Sequence, residues 1–207
     1  MLNAPGRYCL VGLLVLLLPA CASLWPAPYG EAVQDADSVR ADGGPNVMPP
    51  NAPSILNGHW ADYDGHAGID VIGDVGLPVL APADGVVTAS FFEPMYGHNI
   101  LIRHADDADG AAIQTRLVHL DGRMAGEGDQ VRRGQQVATL GRTGVLAGGI
   151  PHLHFEVQRR LPRPYSLYEP VNPHLYWVDG PGVVTCFDAK ADYPAKPFLA
   201  TYPVRCR

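Results

Sequence analysis

Apolar positions in this chain fall into short alternating runs broken by glycine and proline, with no helical stripe of more than a few residues. From His66 to about Gln158 the runs read LPVLAP, DGVVTASFF, HNILIRH, AIQTRLVHL, QVRRGQQVATLG and HLHFEVQ. In several of them apolar and polar side chains alternate, as around Ile100 and Ile102. A period of two sends alternate side chains to opposite faces of a pleated strand. The segment therefore predicts an all-β, mainly antiparallel domain. IPHLHFEV, Ile150 to Val157, is the sharpest case. Leu153, Phe155 and Val157 share one face, and His152, His154 and Glu156 share the other. One histidine on a strand can be a solvated polar position. Two beside a carboxylate on one face make a candidate site, provided the rest of the chain supplies partners.

Other textures flank this domain. Residues 1–20 hold one basic residue, an apolar run of eleven (YCLVGLLVLLL) and then PA before Cys21. That is the layout of a secretory signal peptide, and the run is too short to span a bilayer. LPAC resembles a bacterial lipobox, which makes Cys21 the expected lipidation site and anchors the protein to a membrane. Ordinary cleavage near ACA is the alternative. Residues 21–54 are rich in proline, alanine, glycine and aspartate, and predict a flexible tether. Fully extended at about 3.1 Å per residue, it would reach on the order of 100 Å. The β-rich domain is expected over 55–176. A tail, 177–207, is expected to pack on it or to cap one end.

Cysteine and charge narrow the setting. With Cys9 in the signal and Cys21 under lipid, Cys186 and Cys206 remain, and two thiols in an oxidising compartment should pair as a disulfide. Loss of Arg7 with the signal leaves 14 basic against 21 acidic side chains, a charge of −7. No basic patch or basic–aromatic alternation appears, which argues against a nucleic-acid partner and against electrostatic attraction to anionic lipid.

PVLAPADGVVTA and GDQVRRGQQVATLG resemble the hairpins of barrel-sandwich hybrids, the scaffold of biotinyl and lipoyl carriers. Neither phrase holds a lysine to accept the cofactor, so the carrier function is excluded while the compact two-layer scaffold stands. The chemistry lies elsewhere. In GHAGIDV, His66 and Asp70 are four apart, and Gly65, Gly68 and Gly73 favour a turn running into a strand over a helix. Joined by one histidine of HLH they form a His, Asp, His set. Three protein ligands with an open fourth position suit a catalytic zinc, which brings the pKa of water to about 7. The other histidine of HLH, together with His119 in TRLVHL, would accept the proton and stabilise the intermediate.

HAGIDV, APADGVV, YGHNILIRH, LVHL, GDQVRRGQQVATLGRTG and PHLHFEV stand in the order found in the LytM/lysostaphin-type zinc metallopeptidases, and the resemblance covers about residues 58–176. It implies a two-layer antiparallel β-structure with a groove across it, one Zn2+ per chain, and hydrolysis of peptide cross-links in bacterial peptidoglycan. His66, Asp70 and His154 match that family's metal ligands, and His119 and His152 its catalytic histidines. Glu156 is a candidate to orient a ligand, with a solvated or structural role as the alternative. Two departures stand out. Leu117 occupies a position where the family often has tyrosine, so an aromatic wall near the groove is expected to be missing. The connection GVLAGGI is about two residues longer than usual and borders the groove. His98 and His104 bracket a strand, and His104 is expected to be structural. His59 and His174 are expected to be solvated or hydrogen-bonded, and Asp62, Asp64 and Asp74 to be turn residues. Arg132 and Arg133 are expected in a solvated hairpin.

The function so implied is that of an exported, lipid-anchored zinc endopeptidase facing the periplasm. Ala22 after the lipidated cysteine favours the outer over the inner membrane if the source is Gram-negative. The rival is a non-catalytic relative that activates cell-wall amidases, with the tail as a candidate plug. A passive wall-binding module is the third reading.

Overall fold

A computed structural model describes residues 46–57, 60–61 and 66–207. The expected signal peptide, Cys21, most of the tether, His59, Asp62 and Asp64 lie outside the described residues. Eight antiparallel strands form the main sheet: β1 (Ile55–Asn57), β4 (Ile69–Ile72), β12 (His152–Arg160), β8 (Ala112–Leu120), β7 (Gly97–Arg103), β6 (Gly85–Glu93) and β10 (Gln130–Val131), in that order. The eighth, β13 (Glu169–Val171), pairs with the distal half of β12. A smaller sheet joins β5 (Pro78–Leu80), β11 (Gln136–Thr139) and β9 (Gly122–Arg123), and β2 (Trp60–Ala61) pairs with β3 (His66–Ala67). Among the described residues the helical structure is two single 3-10 turns, at Val145–Ala147 and Pro173–Tyr176. The expected all-β, mainly antiparallel class holds.

Alternation explains the layers. Leu153, Phe155 and Val157 of β12 are fully buried on one side of the main sheet, with Ile69, Val71, Ile100, Ile102 and Leu117. Val79, Val137 and Ala138 of the smaller sheet join the same core. The tail covers the rest of that side. Trp177 stacks on Phe155 with ring centroids 6.4 Å apart, and Tyr202 meets Trp177 edge-on. The tail then runs beside β5: Leu80 N–H donates to Pro203 O, Arg205 N–H donates to Pro78 O, and Val204 bridges Val79. Cys186 and Cys206 form the expected disulfide. The loop it closes is worth about 3 kcal/mol. Replacing both cysteines by serine should lower unfolding free energy by about that amount in denaturant titration.

Two expectations are corrected by this packing. Residues 46–54, read from composition as the end of the tether, lie against the tail. Val47 exchanges backbone hydrogen bonds with Gly182 and Val184, and Tyr202 Oη–H donates to Pro53 O. Arg133 is not a solvated hairpin residue. Its guanidinium donates to Pro82 O and Leu199 O and sits over the Tyr193 ring, so it staples the tail to the domain. His104 is structural as expected. It is buried, its Nδ1 meets Asp84 O and its Nε2 meets Thr115 Oγ1, and burial brings its pKa down to about 4. Asp74 is exposed in a turn, its carbonyl accepting from Leu77 N–H.

Candidate active site

His154 lies near the middle of the main sheet, paired with Asp70 of β4 on one side and Val118 of β8 on the other. His66 reaches the same point from β3 because the chain between β3 and β4 presses onto β12. A Cβ on Gly68 would stand 2.3 Å from Phe155 O, so only glycine permits that approach. The Asp70 carboxylate then lies between two rings. Oδ1 is 2.8 Å from His154 Nδ1 and Oδ2 is 3.1 Å from His66 Nε2. One ligand atom from each of the three residues lies within 4.8 Å of the others. The remaining ring nitrogen of His154, Nε2, faces Glu156 Oε1 at 3.3 Å. Two imidazoles and a carboxylate converging on one point, with a second carboxylate behind one ring, fit a divalent zinc-type ion.

The electrostatics agree. Burial works to raise the Asp70 carboxyl pKa, but hydrogen bonds from His154 and His66 outweigh it and hold that pKa well below the usual range. Burial alone would lower His154, yet hydrogen bonds to Asp70 and Glu156 raise it to about 9. Without metal, His154 is therefore protonated at neutral pH, and an incoming cation must displace that proton. Zinc uptake by the metal-free chain should release about one proton at pH 7. Its apparent affinity should fall about tenfold for each pH unit below 9. Calorimetry in two buffers of different ionisation enthalpy measures both quantities.

His119 and His152 complete the cluster. Their rings are 4.7 Å apart, His119 is 6.2 Å from His154, and His152 Nε2 is 3.8 Å from Asp70 Oδ1. In an unbroken strand, His119 would point to the same side as Leu117, into the core. It does not, because its φ of 61° is left-handed and turns the end of β8. That conformation is held by His119 N–H donating to Tyr96 O and by Thr143 N–H donating to His119 O. Leu117 is fully buried opposite Phe155, so the expected gap in an aromatic groove wall is corrected: this position belongs to the core. Leu117→Tyr should overpack it and cost about 1–3 kcal/mol in chemical unfolding, without restoring a groove contact.

One connection orients both of these histidines, and neither acceptor was visible in the sequence. His119 Nδ1 lies 2.8 Å from Thr143 O, and His152 Nδ1 lies 2.9 Å from Ile150 O. A carbonyl only accepts, so in its neutral form each ring carries the proton on Nδ1 and presents an Nε2 lone pair. Burial, with His152 and His154 nearby, brings the His119 pKa down to about 4 despite the Thr143 carbonyl. This connection, the GVLAGGI stretch, is pinned to the β6–β7 turn. A Cβ on Gly144 would stand 2.3 Å from Gly97 N, and Val145 and Leu146 N–H donate to Pro94 O and Met95 O. Val145, Leu146 and Met95 are left exposed on its crest.

An ion-binding triad flanked by two oriented imidazoles on an antiparallel sheet defines a candidate metal-dependent hydrolase. The model of Peptidase family M23 matches residues 64–173, and the chain belongs to that family. Among curated relatives, the peptidoglycan DD-endopeptidase ShyC of Vibrio cholerae is 38% identical over 104 residues, 50% of this chain and 22% of that protein. The murein hydrolase activator NlpD of Salmonella dublin is 34% identical over 110 residues, 53% of this chain and 27% of that protein. The chain thus spans about a quarter of the length of these relatives. A solved structure of a zinc containing peptidase from Vibrio cholerae is 32% identical, covering 55% of this chain and 33% of that one, with a TM-score of 0.41.

Proposed function

We propose that this protein is a zinc-dependent endopeptidase that hydrolyses peptide cross-links of peptidoglycan, held in the cell envelope by lipid on Cys21. The observation that carries the reading is the joint placement of His66, Asp70 and His154 around one point with His119 and His152 beside it. The name of the Vibrio relative points to the same substrate. His66 Nε2, an Asp70 oxygen and His154 Nδ1 would hold the ion. Zinc there supplies Lewis acidity toward water and the scissile carbonyl.

The chain's own residues handle the protons. In their neutral form neither His119 nor His152 offers a donor at Nε2, because the single ring proton is committed to a backbone carbonyl at Nδ1. One ring must first take a proton from the attacking water. It can then donate from Nε2 to the oxyanion or the departing amine. Their closeness lets the two rings share that work. Exposure to the periplasm, from the outer membrane in a Gram-negative source, is part of the proposal.

The NlpD relative is named an activator, so the regulator that engages a cell-wall amidase remains the second reading. Two features favour the enzyme. All five chemical positions are present, and the tail packs through Trp177 and Tyr202 on the Phe155 face of β12, opposite the face that carries His152 and His154. The test is zinc-loaded protein from Ala22 onward, mixed with purified sacculi, with released muropeptides identified by mass spectrometry. Loss of cross-linked dimers only in the zinc-loaded sample supports the enzyme. Intact dimers with stoichiometric zinc turn the reading to the regulator.

A further inference from the structure

Beneath His154 lies a buried polar assembly that the triad itself does not require. Arg116 of β8 stands directly across from Glu156 in the strand register, on the groove side of the sheet. Its guanidinium is committed on every edge. Nε–H donates to Asn99 Oδ1 at 2.9 Å, Nη2 to Glu93 Oε1 at 2.5 Å and Nη1 to Glu156 Oε1 at 3.3 Å. Its Cζ lies over the Tyr96 ring, 4.4 Å from the ring centre. The Glu156 side chain is only 4% exposed. Its Oε1 also faces His154 Nε2, and its Oε2 accepts from Gln158, which is held in turn by Gln114.

Burying a carboxylate and a guanidinium costs desolvation that their attraction often fails to recover, and apolar residues of similar volume usually stabilise as well or better. Stability alone therefore gives no reason for this assembly under one imidazole. A directional reason is available. An imidazole has two nitrogens, and the one that meets a metal is selected by the hydrogen bond the other makes. Glu156 is short of partners that fix its direction unless Arg116 and Gln158 grip one oxygen each.

We infer that Arg116 is a positioning residue: by holding Glu156 against His154 Nε2–H, it turns the Nδ1 lone pair of that ring toward Asp70 and His66. The inference rests on the zinc reading of the triad. Glu93, Asn99 and Tyr96 act one step further out, fixing the guanidinium.

The experiment uses the full-length chain in detergent, as wild type, Arg116→Met and Arg116→Lys, with zinc itself as probe in competition with a chelator. Long-range 15N–1H spectra of the zinc-loaded proteins read the histidine tautomers. Arg116→Met should weaken zinc by about 10–100-fold and mix the tautomers of His154. Arg116→Lys keeps the charge but loses the planar fork, so it should fall between Met and wild type. Melting of the metal-free proteins shows whether the fold is kept. The inference is overturned by a folded variant that binds zinc within about twofold of wild type with His154 still a single Nε2–H tautomer. It is also overturned if neither variant folds, which would make Arg116 structural. Absence of zinc binding by the wild type would instead overturn the metal reading, and this inference with it.

Discussion

His154→Ala should empty the zinc site and end hydrolysis of cross-linked muropeptides together, with Asp70→Asn close behind. Both act on the same point from opposite sides. His154 contributes Nδ1 from the centre of β12, and Asp70 supplies the charge that binds the two imidazoles into one site. Loss of a ligand should exceed the roughly 10–100-fold loss expected from removing a ligand's partner. Zinc content after equilibration with a chelator should drop from about one equivalent to a small residue. Asp70→Asn keeps the shape but removes one of the two carboxylates that raise His154, so burial weighs more and the ring's pKa falls, with Glu156 still working against that fall. Proton release on adding zinc at pH 7 should therefore shrink along with affinity. Full zinc occupancy in either variant would remove these residues from the ligand set.

The second large effect separates chemistry from metal binding. His152→Ala and His119→Asn should each lower turnover by about 10²–10⁴-fold while zinc stays bound. Asparagine suits position 119 because it tolerates the left-handed backbone found there, whereas alanine would add strain unrelated to the imidazole. Zinc analysis and muropeptide turnover on the same preparations distinguish the outcomes. Turnover within about threefold of wild type in both variants would rule out imidazole proton transfer. Combined loss well short of the product of the single losses is expected, because the two rings act as a unit.

Much of the site could be read from residue order. The alternation of Ile150–Val157 placed His152, His154 and Glu156 together, and their mutual contacts agree. Gly68 between His66 and Asp70 signalled a turn, and the close approach to Phe155 O explains why. What escaped depends on partners distant in sequence. Leu117 was misplaced because the resemblance put it beside the groove, whereas the positive φ at His119 turns that histidine out and leaves Leu117 in the core. Arg116 stands in no motif that spacing picks out, and only the strand register sets it across from Glu156. Arg133 and residues 46–54 read as solvent-loving by composition, yet both are fixed by the tail. The tail itself is rich in proline and aspartate, but Phe198, Ala200, Tyr202 and Val204 are buried in it.

β12 places the ion site and the core back to back, one peptide unit apart. For inheritance this separates two kinds of change. Losing or gaining one codon inside Leu153–Val157 would exchange the two faces, presenting phenylalanine and leucine to the groove and imidazoles to the core. No stepwise repair leads back from that state except restoring the count. Codons added near the exposed crest at Val145 and Leu146 shift no register, provided Thr143 and Ile150 keep their carbonyls on the two histidines. Lineages of this fold should therefore record their history of insertions and deletions in that crest and keep β12 at constant length.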